Sequence, residues 1–216
     1  MHLSRRRFNR YLIAAIGVVA LPAWAKELVE GRDWKPLATP QAGDDPSKIE
    51  VLEFFAYGCP HCSDLNPLIK DWAARLPEDV VFRRIPVTFG RKAWENLARL
   101  FHSLEYTGDL DRLDQAVFDA LHERRERLVT RDRILDWVAD QGLEREAFAK
   151  VFDSFGVQTR LARSEQLAER YRISAVPQIV VDGRYVVVGK AATRVEDLLM
   201  IADELIAKAR AESQTG

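Results

Sequence analysis

The stretch Ile49-Glu50-Val51-Leu52-Glu53-Phe54-Phe55-Ala56-Tyr57-Gly58-Cys59-Pro60-His61-Cys62 decides how the rest of this 216-residue chain is read. Residues 49–56 form a nearly continuous apolar run between a turn cluster and Gly58, which predicts a strand covered on both faces. Leu65, Leu68, Ile69, Trp72, Ala73 and Leu76 then recur at helical spacing. They predict a helix ending before Pro77, kinked where Pro67 cannot donate to the Ser63 carbonyl. Cys59 and Cys62 are the only cysteines in the chain, placed where strand gives way to helix. With no third cysteine, they act on each other, on a metal, or on a thiol of another molecule.

The first 25 residues bear on where those thiols work. Arg5, Arg6, Arg7 and Arg10 make a basic start without an acidic residue, Tyr11 to Leu21 is apolar, and Ala23-Trp24-Ala25 has the small-x-small form of a cleavage site. Residues 1–25 are therefore expected to be a signal peptide cleaved after about Ala25, leaving an exported protein. Ser4-Arg5-Arg6-Arg7-Phe8 also resembles a twin-arginine export signal. Losing this segment removes four of the 32 basic residues and none of the 33 acidic ones, for a net charge near −5. A mildly acidic chain has no bulk attraction to nucleic acid or anionic lipid. No nucleic-acid partner is expected.

The rest of the chain is long enough for one domain with a full core, so it needs no disulfide staple. A bridge closing so short a loop removes little unfolded-chain entropy in any case. A zinc site would need two more ligands. Beyond Cys59 and Cys62 the mature chain offers His61, His102 and His122, with no second cysteine pair. No metal and no cofactor are expected.

A short strand is expected near Trp34 to Leu37, a second β-rich run at Val80 to Val87, and strands at Gln178 to Val181 and Tyr185 to Val188 joined by an Asp182-Gly183 hairpin turn. Between them, Ala93 to Tyr106, Arg112 to Arg125, Arg131 to Asp140, Arg145 to Phe155 and Thr159 to Tyr171 carry helical patterns. Gly108, Gly142 and Gly156 are the expected breakers. A last helix is expected from Val195 to Ala211. The order is β-α-β, a helical block, then β-β-α. This makes an α/β fold in which residues 26–90 and 158–216 form one discontinuous domain and 91–157 an all-helical insertion.

Phe54-Phe55-Ala56-Tyr57-Gly58-Cys59-Pro60-His61-Cys62, Val176-Pro177 and Val181-Asp182-Gly183 together resemble the DsbA family, periplasmic thiol-disulfide oxidoreductases with a thioredoxin fold and a helical insertion. The resemblance implies a cis peptide at Pro177, opposite the dithiol, where an extended substrate segment pairs with the backbone before it. It also implies a membrane, quinone-linked reoxidant of the DsbB type, and an acidic residue at the position of Glu53. The expected partners are folding exported proteins with free thiols, and the expected state is a monomer.

The chemistry follows from the residues. With Cys59 at a helix N-cap and Pro60 at N1, the N–H groups of His61 and Cys62 point at the Cys59 sulfur. The helix dipole and a protonated His61 add to that stabilisation of a thiolate. Cys59 is thus the expected exposed nucleophile and Cys62, turned toward the apolar stripe, the buried resolving thiol. A stabilised thiolate favours the reduced protein, which makes the disulfide an oxidant. The function expected is donation of the Cys59–Cys62 disulfide to exported proteins through a mixed disulfide. Its alternatives are a periplasmic disulfide reductase or isomerase, and a redox-silent peptide- or metal-binding module on the same fold.

Glu53 admits two readings: a raised-pKa carboxyl that moves the proton of the buried thiol, or a structural carboxylate paired with Arg84 or set at a solvated sheet edge. His102 and His122 are expected on the solvated surface, and Glu123 to Arg127 on an exposed helix face.

Overall fold

The computed structural model describes residues 28–190, 192 and 194–214. The expected signal peptide and export signal lie outside the described residues. Twelve elements follow along the described chain: β1 (Trp34–Pro36), β2 (Ile49–Phe55), α1 (Pro60–Ala73), β3 (Val80–Pro86), α2 (Lys92–Thr107), α3 (Leu110–His122), α4 (Arg131–Asp140), α5 (Arg145–Phe152), α6 (Phe155–Arg170), β4 (Gln178–Val181), β5 (Tyr185–Val187) and α7 (Asp197–Ser213).

The strands make one mixed sheet in the order β1-β5-β4-β2-β3. β2 runs parallel to β3 and antiparallel to β4, with Glu53 opposite Arg84 on one side and Ile179 on the other. All seven residues of β2 are buried, because helices cover both faces. On one face Ile49 and Val51 pack with Leu65 and Ile69 of α1 and Leu205 of α7. On the other, Leu52 and Phe54 pack with Ala168 of α6 and Tyr171. The helical block has its own core around Leu100, Val117, Ile134, Leu135 and Phe148, and Phe55 and Tyr57 reach into it from the end of β2.

Local chemistry explains most element ends. Asp182 (φ 54°) and Gly183 (φ 58°) both take the left-handed conformation that a type I′ hairpin requires. A side chain at Gly183 would also collide with the Gln41 carbonyl. α1 runs on as helix through Pro67, which is exposed.

Three expectations need correction. Gly156 does not separate helices: α5 ends at Phe152 and α6 begins at Phe155, with the Ser154 hydroxyl accepting from the Val157 N–H. That cap starts the helix one turn early, where a glycine in the first turn costs little. Glu123 to Arg127 is largely exposed, but it lies beyond the end of α3 in a loop, with Arg125 at φ 56°. His102 is buried against Ser164 of α6, its Nε2 2.9 Å from the hydroxyl, and His122 is half-buried. Helix packing removed both from the surface that their charged neighbours suggested.

Ile69 is fully buried where α1 meets the sheet. Ile69→Ala is expected to cost about 2–5 kcal/mol of unfolding free energy, measured by urea denaturation of the reduced protein.

Candidate active site

The end of β2 and the start of α1 are joined by a tight turn, Ala56 to Cys59, closed by a 3.0 Å hydrogen bond from the Cys59 N–H to the Ala56 carbonyl. Gly58 is required here by space: a Cβ would come within 2.6 Å of Trp94 Nε1. Cys59 is the N-cap of α1 (φ −100°, ψ 118°) and Pro60 opens the helix, where a missing N–H is no loss. Cys62 lies one turn into the helix. Both cysteines are free thiols.

The Val176–Pro177 peptide bond is cis. Its loop, reached only at the far end of the helical block, brings the Val176 carbonyl to 3.4 Å from Cys59 Sγ, where the thiol donates. That loop also corrects the expectation of an exposed sulfur, for Cys59 is only 7 % exposed. Cys62 is 0 % exposed, so Cys59 remains the more accessible of the two. His61 is exposed, and its ring lies 3.9 Å from the Asp64 carboxylate.

The thiols differ sharply in acidity. Cys59 is drawn down from an ordinary 9.0 to about 6, first by the Cys62 thiol donating to it, then by the backbone N–H groups of Cys62 and His61 and the charge of His61; burial opposes them. Cys62 is pushed up, first by that same bond to Cys59, then by burial and by the charges of Cys59 and Glu53. The helix-start N–H groups pull the value down as the sequence implies, but they close no cap on the sulfur: the Cys62 and Ser63 N–H groups donate to the Cys59 carbonyl, and the neighbouring Cys62 thiol is the larger cause.

Beneath the dithiol sits a buried ionic cluster. Arg84 Nε is 2.6 Å from Glu53 Oε2, and Arg84 Nη1 is 2.8 Å from Asp114 Oδ2 of α3. The Tyr57 hydroxyl donates to Asp114 Oδ1 at 2.8 Å, and the guanidinium lies 4.1 Å from the centroid of the Phe55 ring. Glu53 is fully buried, which excludes a solvated sheet edge, and its Oε1 has no hydrogen-bond partner. Burial raises its pKa above the ordinary 4.5 against the pull of Arg84, and Asp114 adds to the rise. A cleft of about 530 Å³ opens behind the cluster between β3 and the helical block, lined by Arg84, Asp114, His102 and Arg163 among others, and by neither cysteine.

Asp114, Tyr57, Trp94 and His122 were not singled out as site residues in the sequence. Asp114 and His122 both lie on α3, whose pattern looks like an ordinary amphipathic face, and only the fold brings them under the dithiol turn. Among the described residues no group of three or more His, Cys, Asp and Glu side chains gathers that could hold a metal ion.

A raised carboxyl makes the native state bind a proton that the unfolded chain has released. Glu53 therefore contributes stability below pH 4.5 that is lost as pH rises through its higher folded value. Urea unfolding across this range is expected to show that falling component in the parent protein and not in Glu53→Gln.

Residues 50–199 match the family of the DSBA-like thioredoxin domain. The chain is 38 % identical over 196 residues to the thiol:disulfide interchange protein DsbA of Azotobacter vinelandii, covering 91 % of each chain. It is also 38 % identical to that of Bordetella pertussis, covering 94 % of this chain and 97 % of the relative. Among solved structures, DsbA of Pseudomonas aeruginosa superposes with a TM-score of 0.82 at 35 % identity, over 88 % of this chain and 98 % of its own. The oxidoreductase DsbA of Xylella fastidiosa superposes at 0.77 and 31 %, over 85 % and 98 %. A thioredoxin-type sheet interrupted by helices, two unequal thiols at a helix start and these likenesses agree: the chain belongs to the DsbA family of thiol-disulfide oxidoreductases.

Proposed function

We propose that the chain donates the Cys59–Cys62 disulfide to exported proteins in the periplasm, with residues 26–90 and 158–216 as the thioredoxin-like domain and 91–157 as the insertion. The observation that carries the direction of the reaction is the unequal setting of the thiols, Cys59 at the open start of α1, where its pKa is drawn down, and Cys62 wholly buried, where it is pushed up. A substrate thiolate attacks Cys59 Sγ, the bond between Cys59 and Cys62 breaks, and its electron pair goes to Cys62. Cys62, buried where a thiolate is disfavoured, takes up a proton rather than remaining a thiolate, and burial favours the protonated form of Glu53 that can supply it. Glu53 is the group assigned to deliver that proton.

A second substrate thiolate then attacks the substrate sulfur of the mixed disulfide. Cys59 leaves as a stabilised thiolate, and the substrate has lost two electrons and gained a disulfide. Pro60 and His61 serve Cys59, the one by starting the helix without a wasted donor and the other by its charge and backbone N–H. The cis loop at Val176 and Pro177, 3.4 Å from Cys59 through the Val176 carbonyl, is assigned to hold an extended substrate segment by backbone pairing. The reduced protein returns to the disulfide through a membrane, quinone-linked partner of the DsbB type. Among the described residues no helix is long and apolar enough to cross a membrane.

The pH dependence of the potential tests the assignment. Below pH 6 both thiols are protonated and the couple takes two protons per two electrons, about 59 mV per pH unit; above it Cys59 is a thiolate and the slope falls to about 30 mV. Equilibration with glutathione buffers is expected to show that break near pH 6 and an oxidising potential. An unbroken slope to pH 8 or above with a strongly reducing potential overturns the proposal.

A further inference from the structure

One helix of the inserted block grips a single residue next to the nucleophile from three sides. Asp114, Phe118 and His122 follow one another at four-residue steps along α3 and so share a face. Asp114 accepts from the Tyr57 hydroxyl at 2.8 Å, and Phe118 packs edge-on against the Tyr57 ring at 4.8 Å between centroids. His122, stacked on Phe118, places Nε2 2.7 Å from the Tyr57 backbone carbonyl. A carbonyl only accepts, so the ring presents Nε2–H. The first two contacts hold the side chain. The third holds the backbone.

His122 holds the central peptide of the turn that carries Cys59. The turn Ala56 to Cys59 is closed by the Cys59 N–H, so the Tyr57–Gly58 peptide is its central one. Neither Tyr57 nor Gly58 has a positive φ, which excludes types II, I′ and II′ and leaves type I for this hydrogen-bonded turn. Types I and II differ chiefly by a flip of that central peptide, and type II needs a residue that accepts positive φ at the position of Gly58. Glycine is required there for another reason, the approach of Trp94. The site is therefore left with a residue that tolerates either form. A flip would turn the Tyr57 carbonyl away from His122 and reverse a peptide dipole of about 3.5 D one residue before Cys59.

We infer that His122 is a positioning residue for the dithiol: by donating to the Tyr57 carbonyl it locks the turn in the form that seats Cys59 as the N-cap of α1. The helical insertion thereby acts on Cys59 through a bond to the turn's backbone as well as by packing. The inference rests on the redox role proposed for Cys59.

The test compares the full-length protein with His122→Leu, which keeps an apolar side chain on Phe118 but has no donor, and His122→Gln, whose amide N–H can reach the same carbonyl. Thiolate absorbance of the reduced proteins against pH and their equilibrium with glutathione are the readouts. His122→Leu is expected to titrate at higher pH and to lose about three- to tenfold in the equilibrium constant, the worth of one hydrogen bond. His122→Gln is expected to stay with the parent on both. If both variants match the parent, or both shift alike, the inference is overturned. Should His122→Leu not fold, the carbonyl carbon shift of Tyr57 in the unaltered protein and in His122→Gln decides: a hydrogen-bonded value in both supports the lock, and a solvent-like value in the parent overturns it. A parent whose Cys59 titrates as an ordinary thiol overturns the redox role itself, a result separate from the behaviour of the variants.

Discussion

A single guanidinium, buried between two carboxylates, ties the two halves of this molecule together. Arg84 sits on β3, Glu53 on β2 and Asp114 on α3, so the cluster joins sheet to helical block at the base of the dithiol. Charges removed from water are costly, and a buried pair recovers that cost only when its geometry and its remaining hydrogen bonds are good. Here one cation faces two acids and a phenol, and Glu53 Oε1 is left without a partner. The arithmetic leaves surplus negative charge unless one acid keeps a proton. Glu53, wholly buried, is the acid whose affinity for a proton is raised.

Burial above that cluster and the open end of α1 act on the two sulfurs in opposite senses. Cys59 is lowered by the Cys62 thiol and by the helix-start N–H groups near it, whereas Cys62 is raised by that same contact with Cys59 and by burial. The folded reduced protein thus gains stability from Cys59 that is complete above the ordinary thiol value of 9.0 and is lost as pH falls through about 6. The disulfide form contains no titrating thiol and gains none of it. Between those two values the reduced form is increasingly favoured, relative to an ordinary dithiol, as pH rises, which is the physical content of an oxidising couple.

Much of the fold was legible because its signals are local. The β2 run, the α1 stripe, the Asp182-Gly183 turn and the spacing of Cys59 and Cys62 each lie within a stretch about one element long, and each element formed where its pattern pointed, with α1 stopping at Ala73, short of Leu76. Where local signals competed, the weaker one was misread. Gly156 looked like a breaker, but the Ser154 cap three residues before Val157 determines where α6 begins. The patterns around His102 and His122 are those of amphipathic helices, and periodicity alone does not say which face meets a second helix and which meets water.

The sequence by itself determined the order of elements, the dithiol at a helix start, Pro60 at N1 and Cys62 on the buried stripe, since all of these are set by spacing along a helix or strand. Only the tertiary structure decided that Glu53 pairs with Arg84 and faces Asp114, that the Val176 carbonyl covers Cys59, and that His122 reaches the Tyr57 backbone. Those contacts join residues separated by 31, 117 and 65 positions for Glu53–Arg84, Cys59–Val176 and Tyr57–His122. Hydrophobic periodicity specifies that a helix buries a face, not against which neighbour. The polar partners of a buried site are fixed only when the layers close over one another.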